Sequence, residues 1–239
     1  MALKKKKKVA IVQSSYIPWK GYFDLINLVD EFILYDDVQF TRRDWRNRNK
    51  IKTPQGPVWL TIPVKVKGRY HQKIKDTAVA DPSWPVRHWQ SLAHSYARAA
   101  HFKEAGPWLK ELYLACRETR MSLINYWFIK AICGFLGIQT ELSWSMDYQA
   151  RGARTERLVN LCRRSGATDY LSGPRAKAYL DEGLFQEAGI EVTYMDYQGY
   201  PKYGQVHPPF EHAVSVVDLI LNQGPEAPRY MKSFGPRPA

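Results

Sequence analysis

Residues 9–50, VAIVQSSYIPWKGYFDLINLVDEFILYDDVQFTRRDWRNRNK, contain the pattern that decides the fold. Residues 9–12 and 32–35 are short, apolar and rich in β-branched side chains, which is typical of strands buried on both faces of a parallel sheet. Between them, apolar side chains recur at the spacing of one helical face; they are Tyr22, Phe23, Leu25, Ile26, Leu28 and Val29. The order strand, helix, strand predicts a βαβ unit and therefore an α/β fold.

Polar residues follow both predicted strands. Residues 13–16 (QSSY) come after the first strand and residues 36–39 (DDVQ) after the second. Ligands of open parallel sheets bind beyond the carboxyl ends of the strands, and the unpaired N–H groups of a following helix can face an anion. The sequence therefore predicts a pocket for a nucleotide or nucleotide sugar at this edge of the sheet.

The remaining chain repeats the alternation of strand and helix. The predicted strands are residues 137–144, 169–171 and 190–195, and the predicted helices that follow or separate them are residues 154–164, 174–188 and 214–221. Residues 58–66 alternate apolar and polar after a Pro-Gln-Gly-Pro turn, which predicts a β-hairpin. Residues 84–136 have helical periodicity throughout. We expect an open, mostly parallel, Rossmann-like sheet of about five strands, with a β-hairpin annex and a helical insertion.

The domain organisation follows from composition. Residues 1–8 are predicted to be a basic, disordered arm, residues 9–224 a single α/β domain, and residues 225–239 a proline-rich tail. No apolar stretch approaches the ~20 residues that span a bilayer, and the start of the chain lacks the features of a signal peptide. We therefore expect a cytoplasmic protein without membrane insertion.

The formal net charge of +12 favours an anionic partner. The candidates are RNA, an acidic membrane surface and a phosphorylated substrate. We rank a phosphorylated or nucleotide-linked small molecule first, because the sequence has no RNA-recognition motif. The chain has 3 cysteines and no Cys-x-x-Cys pair, and His88, His94 and His101 are not spaced to share one helix face. We therefore expect no metal site.

Residues 39–52 interleave arginine and lysine with Phe40 and Trp45, a composition that can hold phosphate and stack on a flat ring. If this segment is extended, Asn47 and Asn49 lie on the face opposite Arg48. The alternative is a solvated loop held by Trp45. Lysine, arginine and histidine also recur at every second position within residues 65–75, where one cationic face is either a binding surface or ordinary surface.

Two later segments also point to the carboxyl edge of the sheet. Ser172 and Gly173 end a predicted strand, and Arg175 and Lys177 follow at the start of the next helix, an arrangement that can hold a phosphate or be a simple turn. Residues 197–205 (YQGYPKYGQ) form a polar, aromatic loop that suits a sugar or a nucleobase and that includes Tyr203 and Gln205.

The motifs resemble those of the WbqC-like protein family. The resemblance rests on residues 13–23 (QSSYIPWKGYF), 36–39 (DDVQ), 45–51 (WRNRNKI), 59–64 (WLTIPV), 170–173 (YLSG), 203–205 (YGQ) and 215–224. It implies a role in surface-polysaccharide (O-antigen) biosynthesis, with transfer of glycine or another acyl group to an amino sugar.

Residues 19–22 (WKGY) are also similar to the His-x-Gly-His turn of nucleotidyltransferases and pantothenate synthetase. That similarity implies a fold of the HUP and nucleotidyltransferase type, with ATP over the start of the first helix. Trp19 and Tyr22 replace the two histidines, so the turn lacks the cations that stabilise a pentavalent phosphate. The similarity supports the fold more than adenylyl transfer.

From the resemblance to the WbqC-like family we expect a transferase or ligase that attaches a small acyl or aminoacyl group, with glycine as a candidate, to an amino sugar or related amine in surface-polysaccharide or natural-product biosynthesis. The cofactor is unknown, with ATP or another activated acyl donor as candidates. The predicted catalytic residues are Asp36, Asp37, Asn47, Asn49 and Lys50. The predicted substrate-binding residues are Gln13, Tyr16, Trp19, Tyr22, Gln39, Trp45, Arg48, Ser172, Gly173, Lys177, Tyr203 and Gln205.

Three alternatives stay open from the sequence. The adjacent acids can instead anchor the basic segment, with Asp37 paired to Arg42 or Arg48. The protein can be an ATP-dependent enzyme that forms nucleotidyl or adenylyl products without a glycan acceptor. It can also bind RNA and take its acyl group from an aminoacyl-tRNA, in which case binding falls steeply with salt.

Overall fold

The central sheet has five parallel strands, as the sequence predicted. In the computed structural model, which describes residues 6–235, they are β1 (Lys8–Val12), β2 (Glu31–Leu34), β5 (Glu141–Trp144), β6 (Asp169–Ser172) and β7 (Glu191–Tyr194). Their spatial order is β5-β2-β1-β6-β7. The chain leaves β1 toward β2 and β5 on one side and later returns to add β6 and β7 on the other. The topological switch point therefore lies between β1 and β6, where open α/β sheets bind ligands.

A separate antiparallel hairpin consists of β3 (Arg48–Thr53) and β4 (Gly56–Thr61). The helices are α1 (Lys20–Asn27), α2 (Trp84–Tyr96), α3 (Phe102–Ala115), α4 (Met121–Leu136), α5 (Arg154–Ser165), α6 (Glu182–Glu187) and α7 (Val216–Gln223). Helices α2, α3 and α4 are the predicted insertion. None of the helices within residues 6–235 has the length and apolar character needed to cross a membrane.

The sheet separates two hydrophobic clusters. Val9 and Ile11 of β1 belong to the cluster beneath α5 and α6, whereas Ala10 belongs to the larger cluster with α1, the insertion and α7. Because successive side chains of a strand point to opposite faces, a continuous apolar run buries both faces of β1. The sheet is thus the middle of three layers, and its carboxyl edge is reached from the side of the hairpin and α4.

Several element boundaries differ from the prediction. Residues 48–53, for which the sequence left both an extended strand and a solvated loop open, form β3. The predicted strand 58–66 ends at Thr61, because Pro63 has no N–H for the ladder. The predicted helix 174–188 is a 3₁₀ helix (Pro174–Ala178) followed by α6, since the Asp181 side chain caps a new helix by accepting from the Gly183 N–H.

Both predicted ends of the chain also differ where the structure describes them. Within the predicted arm, Lys8 starts β1 and the Lys7 ammonium lies 2.7 Å from a Glu31 carboxylate oxygen. Residues 1–5 lie outside the described residues. Within the predicted tail, residues 224–230 form a 3₁₀ helix, and Ser233 donates both its N–H and its hydroxyl to the buried Asp24 carboxylate. Residues 236–239 also lie outside the described residues.

A buried polar chain joins the end of β1 to the insertion. The Tyr16 side chain is fully buried, and its hydroxyl lies 2.8 Å from both His88 Nδ1 and the Tyr113 hydroxyl. His88 Nε2 lies 3.2 Å from the Thr61 carbonyl oxygen, which fixes that nitrogen as the donor and leaves Nδ1 to accept from Tyr16. Burial lowers the pKa of His88 to about 4, so the ring is neutral at pH 7.

We predict that this histidine makes stability depend on pH. Because the pKa of His88 is lower in the folded chain than its usual 6.5, only the unfolded chain takes up this proton as the pH falls below 6.5. His88 should therefore reduce the free energy of unfolding by about 2 kcal/mol between pH 7 and pH 4.5. Urea unfolding of the wild type and a His88→Gln variant across this range measures the effect.

The exposed His94 on the same helix supplies the control. His88→Gln should be less stable than the wild type at pH 7 but should lose less stability on acidification, whereas His94→Gln should follow the wild type. Parallel pH profiles for the wild type and His88→Gln would contradict the assignment of a neutral, buried imidazole.

Candidate functional site

The chain between β1 and α1 makes a tight turn whose backbone polar groups are bonded to the hairpin. Ile17 has φ of 35°, in the left-handed region that β-branched residues rarely adopt. The buried Asn49 amide donates to the carbonyls of Tyr16 and Ile17 at 3.1 and 2.9 Å, and the Tyr16 N–H donates to the Trp45 carbonyl at 3.0 Å. Strand β3 and the segment before it therefore hold the turn in place.

Asp36 connects the end of β2 to the same turn. Its side chain is fully buried, and its two carboxylate oxygens accept from the Ser14 N–H at 2.9 Å and the Ser122 hydroxyl at 2.5 Å. Burial raises the pKa of the Asp36 carboxyl, although these hydrogen bonds oppose the shift. Asn125 completes the connection, because its amide donates to the Ser14 hydroxyl and to the Arg46 carbonyl at 2.8 and 2.9 Å.

Arg46 is a buried side chain of this region with unused hydrogen-bond donors. The residue is 9% exposed, and within the described part of the chain its Nε and Nη1 atoms have no hydrogen-bond partner. Arg46 Nε lies 3.8 Å from an Asp44 carboxylate oxygen, beyond hydrogen-bond distance. The guanidinium charge also opposes the rise in the pKa values of Asp36 and Tyr22, so it lies near both side chains.

Unpaired buried donors are rare and call for a physical reason such as a bound ion or ligand. A guanidinium carries five N–H donors in a fork that matches a phosphate or carboxylate. The N-cap residue of helix α1, Trp19, makes no side-chain cap, and its carbonyl accepts the Tyr22 N–H, which leaves the N–H groups of Lys20 and Gly21 for an anion at the start of the helix. The carboxyl ends of β1 and β2 thus form a candidate anion site.

The Asp37 side chain has different partners from that of Asp36. Its carboxylate accepts from the Ser145 hydroxyl at 2.7 Å and is paired with Arg157 of α5. The suggested pairing of Asp37 with Arg42 or Arg48 is therefore wrong, because Arg42 donates to the Val66 carbonyl and Arg48 to the Arg43 carbonyl. Asp37 is partly exposed at the edge of the crevice, beside the end of β5.

The amides of β3 and the residue before it point inward. Asn47 donates to the Ile62 carbonyl at 2.8 Å, and its own Oδ1 is buried without a partner among the described residues. Arg48 and Lys50 point outward, 4.1 and 5.2 Å from the centre of the Trp59 ring, and Trp45 contacts the same ring. The predicted site residues of this segment are therefore divided between an inner and an outer face.

Trp19 and Tyr22 border the crevice at the start of α1. Trp19 is half-buried against Tyr197 and Tyr200 of the loop after β7, with ring centres 5.1 and 5.6 Å away. A Cβ atom on Gly21 would lie 2.3 Å from the Trp19 ring, so a side chain at this position would displace that ring. The Tyr22 hydroxyl donates to the Gln13 carbonyl at 3.1 Å, at the end of β1.

The remaining predicted residues lie at three other places. Ser172 and Gly173 end β6, which is hydrogen-bonded to β1, while Lys177 is exposed 5.0 Å from the centre of the Tyr194 ring. Gln39 is exposed and donates to the Tyr70 carbonyl. Tyr203 and Gln205 lie in a separate buried network, described next.

This network surrounds Asp218 of α7. The fully buried Asp218 carboxylate accepts from the hydroxyls of Tyr96 and Tyr203 and from the Gln205 amide, each at 2.8 Å. The Lys52 ammonium donates to Gln205 Oε1 at 3.1 Å. Lys20 is also buried, and desolvation lowers its pKa to about 8 while the charges of Asp24 and Asp218 oppose the shift.

Sequence reasoning missed several of these contributors. Ser122 and Asn125 lie in the helical insertion, and no local pattern connects them to residues 14 and 36. Lys20 and Asp218 each occupy one turn of an amphipathic helix and look like surface positions in sequence. Arg46 was recognised as part of a basic segment, but the alternation around it gave no sign that its side chain would be buried with two unpaired nitrogens.

We predict that Asn49→Ala lowers the free energy of unfolding by about 2–3 kcal/mol, because it leaves the buried carbonyls of Tyr16 and Ile17 without a donor. Urea unfolding measures this loss. Asn160 is a suitable control, since its amide also donates to a carbonyl but at an exposed site, and Asn160→Ala should change stability by less than about 0.5 kcal/mol. Equal effects of the two substitutions would show that Asn49 does not hold the turn.

Comparison with known proteins agrees with the resemblance in the motifs. A model of the WbqC-like protein family matches residues 13–230. The chain is 54% identical over 226 residues to a Mycobacterium tuberculosis protein described as "Uncharacterized protein Rv1507c", and the match covers 95% of this chain and 98% of that protein. No solved structure matches the chain. Because the family match includes the β1 turn, the basic segment and the Asp218 network, the chain belongs to the WbqC-like protein family.

Proposed function

We propose that the protein forms an amide bond by transferring a small acyl or aminoacyl group, such as glycine, to the amine of a phosphorylated or nucleotide-linked amino sugar. The observation that carries this proposal is the buried Arg46 guanidinium, whose Nε and Nη1 lack partners in the described chain at the carboxyl end of the sheet. The resemblance to the WbqC-like family supports the acyl group and the amino-sugar acceptor.

Arg46 is assigned to the anionic part of the substrate. Two unpaired N–H donors in a low-dielectric site bind a phosphate or carboxylate oxygen more strongly than exposed donors do. The start of α1 supplies further N–H groups on the same side. Of the predicted catalytic residues Asn47, Asn49 and Lys50, we assign Asn49 to the structure of the turn and not to the reacting groups, because its amide hydrogens are directed at backbone carbonyls.

Asp37 is the better candidate for the proton acceptor. Amide formation requires that the incoming ammonium lose a proton before its nitrogen attacks the acyl carbon. Asp36 is enclosed and accepts hydrogen bonds on both oxygens, so we assign it to positioning Ser14 and the turn. Asp37 is partly exposed at the adjacent strand end, and Arg157 and Ser145 orient it.

The reaction has a simple balance. The acceptor nitrogen forms a bond to the acyl carbon, the bond from that carbon to the donor's leaving group breaks, and the proton from nitrogen passes through Asp37 to the leaving group. With ATP, the activated donor would be an acyl phosphate or acyl adenylate. The ATP-dependent alternative has no glycan acceptor. It would therefore release AMP or pyrophosphate even when no amine is present.

We predict that the purified protein, incubated with an activated glycyl donor (glycine with ATP, or a glycyl ester on RNA) and a panel of nucleotide-linked amino sugars, yields an amide product detectable by mass spectrometry. Arg46→Gln should lower kcat/KM for this product about 100-fold, the usual effect of removing one oxyanion donor. Arg46→Lys should restore part of the activity, since it keeps the charge but not the fork.

The matched control is Arg43→Asn. Arg43 is an exposed arginine in the same segment, its φ is 58°, and asparagine tolerates that conformation. This variant should lose much less activity than Arg46→Gln. An equal loss in Arg43→Asn and Arg46→Gln would contradict the assignment of Arg46, and AMP or pyrophosphate release that is independent of any amine would favour the nucleotidyl alternative.

A further inference from the structure

The positive charge of the chain is concentrated in one segment. Residues 39–75 contain eleven lysines and arginines but one acidic residue, Asp44, and thus carry a net charge of +10 out of the total of +12. The residues on either side of this segment nearly balance their charges. Such a concentration is an electrostatic footprint for a polyanion, not a general property of the surface.

These residues form one continuous surface. The Arg42 guanidinium donates to the Val66 carbonyl at 2.7 Å, and the Phe40 N–H donates to the Gln72 carbonyl at 2.9 Å, so the loops before β3 and after β4 lie side by side. Arg48 links the first loop to the hairpin through the Trp59 ring. We call the exposed face of residues 42–50 and 59–73 the hairpin surface.

The hairpin surface also contains exposed aromatic side chains next to its lysines and arginines. Trp45 and Trp59 are each 40% exposed with ring centres 5.1 Å apart, and Tyr70 is 69% exposed. Exposed rings beside guanidinium groups are the combination with which proteins stack unpaired nucleobases while holding the phosphate backbone. Duplexes hide their bases in the stack, so this arrangement favours a single strand.

A hollow of about 590 Å³ lies next to Tyr70, lined by residues that include Arg42, Arg69 and His71. This volume lies within the range of small-ligand sites and is large enough for a nucleotide. Asp76 is the acid in its lining. The hairpin surface therefore offers both a place for one unstacked nucleotide and cations for the phosphates on either side of it.

The hairpin surface adjoins the candidate site through a single segment. Trp45, Arg48 and Lys50 point outward to the hairpin surface, whereas Arg46 and Asn49 of the same segment point inward to the end of β1. A strand bound along the outer face can therefore bring its end to the crevice.

We propose that the hairpin surface binds single-stranded RNA and that the RNA end carries the acyl group to the candidate site. The choice of RNA rests on the proposed amide-forming function, because an aminoacyl ester on a ribose hydroxyl is already an activated donor. The acceptor amine attacks the ester carbonyl, the carbon–nitrogen bond forms, the ester carbon–oxygen bond breaks, and the ribose oxygen leaves with the proton lost by the amine. No ATP is consumed in this step.

Fluorescence anisotropy with the full chain and a labelled single-stranded RNA of about 16 nucleotides tests the proposal. Tyr70→Ala should weaken binding about tenfold through the loss of one stacked base. Tyr179→Ala is the matched control, because Tyr179 is 72% exposed but lies far from the hairpin in sequence, in the segment after β6. It should bind as the wild type does.

Charge is tested on the same RNA. Arg69→Gln should reduce the slope of log K against log salt concentration by about 0.7, the value for one phosphate contact on a single strand. A variant with Lys4, Lys5 and Lys6 changed to glutamine should keep most of the affinity, because the binding surface lies in residues 42–73.

Three results would overturn the proposal: equal affinities of Tyr70→Ala and Tyr179→Ala, loss of binding in the lysine-to-glutamine variant alone, or equal binding of duplex RNA or a sulfated polysaccharide. This assay contains no amine acceptor. Its failure therefore leaves the amide-forming proposal intact, and absence of an amide product leaves the RNA-binding result intact.

Discussion

The structure depends on the hydrogen bonds made by the buried backbone N–H and C=O groups of the turn after β1. Residues 13–19 enter the interior where the sheet, the hairpin and α4 meet, and polar groups left unpaired there would cost about 1–3 kcal/mol each. Asp36 accepts the Ser14 N–H, Asn49 donates to the Tyr16 and Ile17 carbonyls, and the Trp45 carbonyl accepts the Tyr16 N–H. Elements distant in the sequence therefore have to assemble before this turn is stable.

The same constraint creates the candidate site. Holding the turn brings the segment before β3 against the end of β1, and Arg46 is carried into the interior with its neighbours. Asp36 is enclosed by its own hydrogen bonds and does not form an ion pair with Arg46 among the described residues. The result is a buried guanidinium whose ion pair with Asp44 is long, at 3.8 Å, and whose Nε and Nη1 have no hydrogen-bond partner among the described residues, which leaves them able to bind an incoming anion.

The sequence predicted the sheet because its signals are local: β-branched runs such as residues 9–12 and 32–35, and amphipathic helices between them, identify themselves within a few residues. It could not predict which polar side chains face inward. Tyr16 and Asn49 are residue types that often bind ligands. In the structure, however, their side chains are buried and form hydrogen bonds to groups distant in the sequence, such as His88 for Tyr16 and the Ile17 carbonyl for Asn49. Prolines such as Pro225 and Pro228 led to the prediction of a tail, yet residues 224–230 form a 3₁₀ helix that contacts α7 and α4.

A crystal structure of the protein grown with a nucleotide-linked amino sugar tests the central claim most directly, namely that the carboxyl ends of β1 and β2 bind an anionic substrate through Arg46. The account predicts phosphate oxygens within about 3 Å of Arg46 Nε and Nη1, with the sugar amine toward Asp37. A structure in which Arg46 Nε and Nη1 donate hydrogen bonds to Asp36 or Asp44, and the ligand occupies another surface, would contradict it.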